Sequence, residues 1–97
     1  MNVVCIPAYN EEIKIKEVVK KALPYVDKVI VCDDGSTDKT AVLAKKAGAT
    51  VISHETNLGY GAAISTLFDY CRKNNAEIMV TLDGDGQHNP DQVPDLV

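Results

Sequence analysis

Four short apolar runs punctuate this chain at regular distances: "VVCI" at Val3–Ile6, "VIVC" at Val29–Cys32, "TVIS" at Thr50–Ser53 and "EIMVTL" at Glu77–Leu82. The first two are unbroken rather than alternating. A strand of that kind is buried on both faces, which a parallel sheet requires and a half-solvated antiparallel sheet does not. The stretches between the runs are too long for hairpins and carry helical periodicity. The order is therefore βαβαβαβ. Right-handed crossovers are close to obligatory for such units, so the expected architecture is an α/β fold with a Rossmann-like parallel sheet covered by helices on both faces.

The first connecting helix is expected over Glu11 to Leu23, with Ile15, Val18, Val19, Ala22 and Leu23 on one face, lysines between them, and Pro24 as a stop. Asp38 is a candidate N-cap for a second helix that runs to Ala47 and ends at Gly48. The third helix follows "NLGYG", with Ile64, Leu67, Phe68 and Cys71 expected on its apolar face.

A chain of 97 residues reads as one small domain, residues 1–97. Its net charge of −4 argues against a nucleic-acid partner or an anionic membrane bound through a basic surface. Three cysteines, Cys5, Cys32 and Cys71, form no C-x-x-C pair, and each falls in an apolar run. They read as buried, reduced thiols, slow to react with a thiol reagent. The first run starts almost at Met1, so no leader peptide is expected, and no apolar run reaches the roughly 18 residues of a membrane helix. The cytoplasm is the expected compartment.

Parallel α/β sheets bind ligands beyond the carboxyl ends of their strands, and the polar clusters of this chain fall there. "DGDGQH" follows the fourth run. Asp83 and Asp85 repel each other unless solvated in a turn or bridged by a cation. Asp and Gly are favoured in turns in any case. As ligands, the two carboxylates, with the amide oxygen of Gln87 and the ring of His88 nearby, suit Mg2+ or Mn2+ shared with a diphosphate rather than a closed structural cage. "DDGS" at Asp33–Ser36 follows the second run. An aspartate there can bind a nucleotide's ribose or base, or support a turn with Gly35 at positive φ; both hold if the pair divides the work. "PAYNEE" at Pro7–Glu12 offers the flat ring of Tyr9 to a base, while Asn10 can cap and Glu11 and Glu12 suit the positive end of a helix. Gly59 and Gly61 fail the dinucleotide fingerprint, because Ile64 occupies the third glycine position.

Taken in order and spacing, "IPAYNEE", "VIVCDDGSTDKT", "NLGYGAAI" and "VTLDGDGQHNP" resemble the nucleotide-sugar half of family 2 glycosyltransferases, inverting enzymes of the glycosyltransferase-A fold. "DGDGQH" is most similar to the dolichyl- or polyprenyl-phosphate sugar transferase branch. The resemblance spans nearly the whole chain. It implies a UDP- or GDP-sugar donor lined by Pro7, Ala8, Tyr9 and Glu11, with Asp33 or Asp34 on the base or ribose. It also implies Asp83 and Asp85 as the catalytic D-x-D pair, joined by Gln87 at a divalent metal, Asp83 also touching the nucleotide, and a polyprenyl phosphate as a possible acceptor.

Members of that family continue well past the D-x-D motif, whereas this sequence stops at Val97 within "PDQVPDLV". It reads as the donor-side part of a longer enzyme, peripheral to the cytoplasmic membrane face in full-length form. Alone it is expected to bind nucleotide without turnover and to self-associate through the exposed edge. The alternative is a non-catalytic nucleotide-binding or assembly module. A receiver domain would need its acidic pair after the first strand, where Pro7 stands, and a nucleotidyltransferase would need a glycine-rich basic loop there.

Overall fold

The computed structural model describes residues 2–75 and 78–81. Its elements are β1 (Asn2–Ala8), α1 (Ile15–Ala22), a 3-10 turn (Leu23–Tyr25), β2 (Lys28–Asp33), α2 (Thr40–Ala47), β3 (Thr50–Ser53), α3 (Tyr60–Lys73) and β4 (Ile78–Thr81). All strand pairs are parallel, in the order β3-β2-β1-β4. The βαβ reading of the apolar runs is thus met, with β1 running on through Pro7 to Ala8. Pro7 lies past the last described β1–β4 pair, Cys5 with Thr81, and its strand partner there is Cys32 of β2. The far ends of the fourth run, Glu77 and Leu82, lie outside the described residues.

Continuous apolar sequence buries β1 and β2 beyond their first residues, Asn2 and Lys28, and the strand period of two sorts their side chains to opposite faces. Val4, Ile6, Ala8, Val29 and Val31 face Ile15, Val18, Val19 and Ala22 of α1 and Ala44 and Ala47 of α2. Val3, Cys5, Ile30 and Cys32 face Ala63, Leu67 and Cys71 of α3. Burying a Val or Ile side chain is worth about 1.5–3 kcal/mol, so these two central strands carry much of the fold. All three cysteines are free and buried, and the sulfurs of Cys5 and Cys71 lie 3.4 Å apart. Lys28 fastens α3 to β2 by donating to the Tyr70 hydroxyl at 2.9 Å.

Two helix readings need correction. The first helix is regular only from Ile15, after a turn over residues 12–14. Asn10 does not cap it: that residue adopts φ +51°, and its side chain is used elsewhere. On α3 the stripe against the sheet is Ala63, Leu67 and Cys71, and Phe68 is half exposed. The i, i+4 row with a small residue lets helix and sheet approach, and a phenyl ring at 68 falls on its flank. The second helix begins two residues after Asp38, whose Oδ1 accepts the Thr40 N–H at 2.9 Å. It ends as expected at Gly48, with φ +113° and the Ala49 N–H returning to the Ala44 carbonyl.

Candidate functional site

Strand order 3-2-1-4 reverses between β1 and β4, which makes the carboxyl ends of those two strands the topological switch point where such sheets bind ligands. Ala8 ends β1, Asp33 ends β2, and Thr81, the last described residue of β4, stands level with Cys5. "PAYNEE" and "DDGS" therefore leave neighbouring strands on one edge. Asp83, Asp85 and Gln87 lie outside the described residues. Among the described residues no cluster of three or more His, Cys, Asp or Glu could hold a metal ion.

The two loops are sewn together by reciprocal bonds from side chains to backbone. The Asn10 N–H donates to Ser36 Oγ at 2.9 Å, and the Thr37 N–H returns to Asn10 Oδ1 at 2.9 Å. The Glu11 N–H donates to Thr40 Oγ1 at 2.8 Å. The Glu12 N–H donates to Asp38 Oδ2 at 3.3 Å, and the Lys39 N–H to Glu12 Oε2 at 3.1 Å. Asn10 and Glu12 are thus spent on joining the β1 and β2 loops. Burial pushes the Asp38 carboxyl up, but the donors on Thr40 and the Glu12 N–H outweigh it and hold the group below the usual carboxylate range. Pro7 and Ala8 are buried at the end of β1, and the Tyr9 ring beside them is exposed.

Asp33 and Asp34 are both buried, and their surroundings differ sharply. Asp34 Oδ1 accepts the Leu58 N–H at 2.9 Å and His54 Nδ1–H at 2.8 Å. Its Oδ2 accepts the Gly59 N–H at 2.9 Å and Asn57 Nδ2–H at 3.1 Å. An ionised carboxylate offers about four lone-pair sites, so Asp34 is saturated. Burial raises its pKa, but the bonds from His54, Leu58 and Gly59 outweigh that and leave it lowered. Asp33 receives the Ser36 N–H on Oδ1 at 3.2 Å and the Ser53 hydroxyl on Oδ2 at 3.5 Å. Among the described residues Asp33 receives these two donors, against four on Asp34.

Gly35 lies between this pair and Ser36 at φ +73°, as the sequence suggested. A Cβ there would stand 2.3 Å from the Thr56 carbonyl carbon and 2.4 Å from the Asn57 nitrogen, so the 54–59 loop crosses directly over it. The sequence did not reveal this crossing, nor His54 and Asn57 as partners of Asp34. Beneath the acidic pair, burial and then the charges of Asp34 and Asp33 push the Cys32 thiol up to about 11, in keeping with an unreactive thiol.

The model of "Glycosyl transferase family 2" matches residues 3–97. The chain belongs to this family. An uncharacterised protein of Methanocaldococcus jannaschii is 42% identical over 96 residues, which are 97% of this chain and 39% of that protein. A UDP-N-acetylglucosamine–dolichyl-phosphate N-acetylglucosaminyltransferase of Methanococcus voltae is 36% identical, over 95% of this chain and 44% of its own length. Among solved structures, glucosyl-3-phosphoglycerate synthase of Mycobacterium tuberculosis bound to UDP is 34% identical with a TM-score of 0.78, over 97% of this chain and 37% of that one. The same enzyme with Mn2+, UDP-glucose and phosphoglyceric acid gives a TM-score of 0.71 at 35% identity, over 87% and 33% of the two chains. The sheet described above accordingly belongs to the glycosyltransferase-A fold. This family 2 chain spans less than half the length of the curated relatives it matches.

Proposed function

We propose that residues 1–97 form the donor-binding part of an inverting glycosyltransferase that takes a nucleoside-diphosphate sugar, UDP-linked in the first instance. The observation that carries this is the contrast within the acidic pair: Asp34 is saturated by four donors, while among the described residues Asp33 receives two, at the end of β2 level with Ala8. Asp33 then accepts an N–H of the base or a hydroxyl of the ribose, Tyr9 covers the base, and Pro7, Ala8 and Glu11 line it from the end of β1.

The donor set of Asp83, Asp85 and Gln87 is all hard oxygen, which fits Mg2+ or Mn2+ held jointly with a diphosphate. A divalent ion there supplies Lewis-acid stabilisation of the charge on the departing nucleoside diphosphate. The acceptor we assign is a polyprenyl phosphate, the class named for the Methanococcus voltae relative. A lipid phosphate is already an anionic nucleophile, so the acceptor lessens the need for a strong general base. Within this stretch, nucleotide binding is expected to outlast turnover. Holding an acceptor within about 3–3.5 Å of the anomeric carbon contributes roughly 7–11 kcal/mol, a term that turnover needs and nucleotide binding does not.

Calorimetric titration with UDP, with and without Mn2+, tests the reading. Binding should depend on the metal, and Asp85→Asn and Asp33→Asn should each weaken it by about 1–3 kcal/mol. Metal-dependent affinity that is unchanged in both variants would overturn the assignment.

A further inference from the structure

We propose that His54 is a positioning residue: by donating Nδ1–H to Asp34 it ties that carboxylate to the Asn57–Gly59 loop, and so leaves Asp33 as the acidic side chain that meets the nucleotide. The inference rests on the donor-site reading given above and adds to it a residue in none of the four motifs.

His54 is the first residue after β3, and it touches both aspartates. Its backbone N–H donates to the Asp33 carbonyl at 2.9 Å, and its ring nitrogen Nδ1 stands 2.8 Å from Asp34 Oδ1. On the far side of the ring, Nε2 is 2.8 Å from Thr66 Oγ1 on α3 and 3.7 Å from Cys32 Sγ on β2. One imidazole thus spans the end of β2, the end of β3 and the third helix. Because Asp34 is held ionised it can only accept, so the proton of that bond belongs to Nδ1. In the neutral ring Nε2 is then the acceptor for the Thr66 hydroxyl.

The other donors to Asp34 are amide groups: the N–H of Leu58, the N–H of Gly59 and the side chain of Asn57. The imidazole is the donor in this set that stands next to β3, at the start of the 54–59 loop, rather than in its Asn57–Gly59 end. Remove it, and Oδ1 regains a lone pair and the carboxylate is no longer fixed from the β3 side. Asp34 can then swing toward the ligand edge, where it competes with Asp33 and repels a diphosphate, while the Leu58 and Gly59 amides lose a fixed acceptor. Gly59 sits at φ +103° immediately before α3, so its anchoring also sets where that helix begins.

The two ring nitrogens can be tested apart. An asparagine side chain places an amide nitrogen near the Nδ1 position, and a glutamine places one nearer Nε2. We expect His54→Gln and His54→Ala to weaken Mn2+-dependent UDP binding about tenfold and to speed hydrogen exchange at the Leu58 and Gly59 amides. His54→Asn should stay within about threefold of the unaltered protein and keep those amides protected, because the Asp34 bond is restored. A packing role alone predicts the reverse ranking, with the longer glutamine the better substitute. The proposal is overturned if His54→Asn falls with His54→Ala, or if His54→Gln retains both affinity and protection. Should the unaltered protein bind no UDP, the donor-site reading fails, and the exchange ranking alone decides whether His54 holds the loop.

Discussion

At the carboxyl end of β2 the chain meets β3 on one side and β1 on the other, and it is held to them by different means. Toward β3 the fastening is buried: Asp34, 4% exposed, takes four hydrogen bonds, and Gly35 lies under the backbone of Thr56 and Asn57. Toward β1, past the backbone bond from the Asp34 N–H to the Ala8 carbonyl at 2.8 Å, it consists of side-chain-to-backbone bonds between Asn10, Glu11 and Glu12 and residues 36–40, most of them exposed to water. A buried bond that is lost leaves a stranded group, whereas water replaces an exposed one. The β3 side therefore specifies a single geometry, and the β1 side adds many small terms.

The largest effect should come from Gly35→Ala, which combines a left-handed φ with a methyl placed against backbone atoms. A loss of about 3 kcal/mol or more in denaturant unfolding is expected, and a loss below about 1 kcal/mol would mean that the crossing loop gives way. Asp34→Ala should follow at about 3 kcal/mol, since it strands the donors on His54, Asn57, Leu58 and Gly59. That difference should depend on pH. The folded Asp34 pKa lies below its unfolded value, so its contribution is complete above the ordinary carboxylate pKa of about 3.9 and vanishes as pH falls through the folded value. The gap between the two proteins should narrow in acid as its charge-dependent part is lost; a gap independent of pH would contradict an ionised Asp34.

On the β1 side Asn10→Ala should cost about 1 kcal/mol, and Asn10→Gly less, because glycine relieves φ +51° while losing the same side-chain bond. Ser36→Ala, which removes an exposed acceptor, should cost about 0.5 kcal/mol. If Ser36→Ala rivalled Asp34→Ala, the distinction between the two sides would collapse.

The sheet could be read from sequence because strands buried on both faces leave unbroken apolar runs, as Val3–Ile6 and Val29–Cys32 do. Gly48 and Gly35 were legible for a related reason: each meets a positive φ that the local sequence announces. Phe68 was misread because helical periodicity marks an apolar arc, not which of its members is small enough to sit against a sheet. Asn10 was misread because its left-handed turn is set by Ser36 and Thr37, which lie in another loop. The same limit hid the Asp34, His54 and Thr66 chain. Its members stand on three elements, and only strand order brings them together. The sequence leaves the division between Asp33 and Asp34 open, and the different donor counts among the described residues are the basis on which we propose Asp33 for the nucleotide.

The placement of β1 has a consequence for how such a chain is made. β1 is made before the strands it pairs with, and it is an inner strand of the described sheet, with β2 on one side and β4 on the other. Its pairing with β2 becomes available early, but Asn2 meets Ile78 and Cys5 meets Thr81 only when nearly the whole described chain has been synthesised. Until then one flank of an apolar strand is an open template. Long-range parallel pairing of this kind is slow, and strand edges left unpaired meanwhile recruit other chains. The interval between synthesis of β1 and of β4 is therefore a window in which an apolar strand edge stays open to other chains.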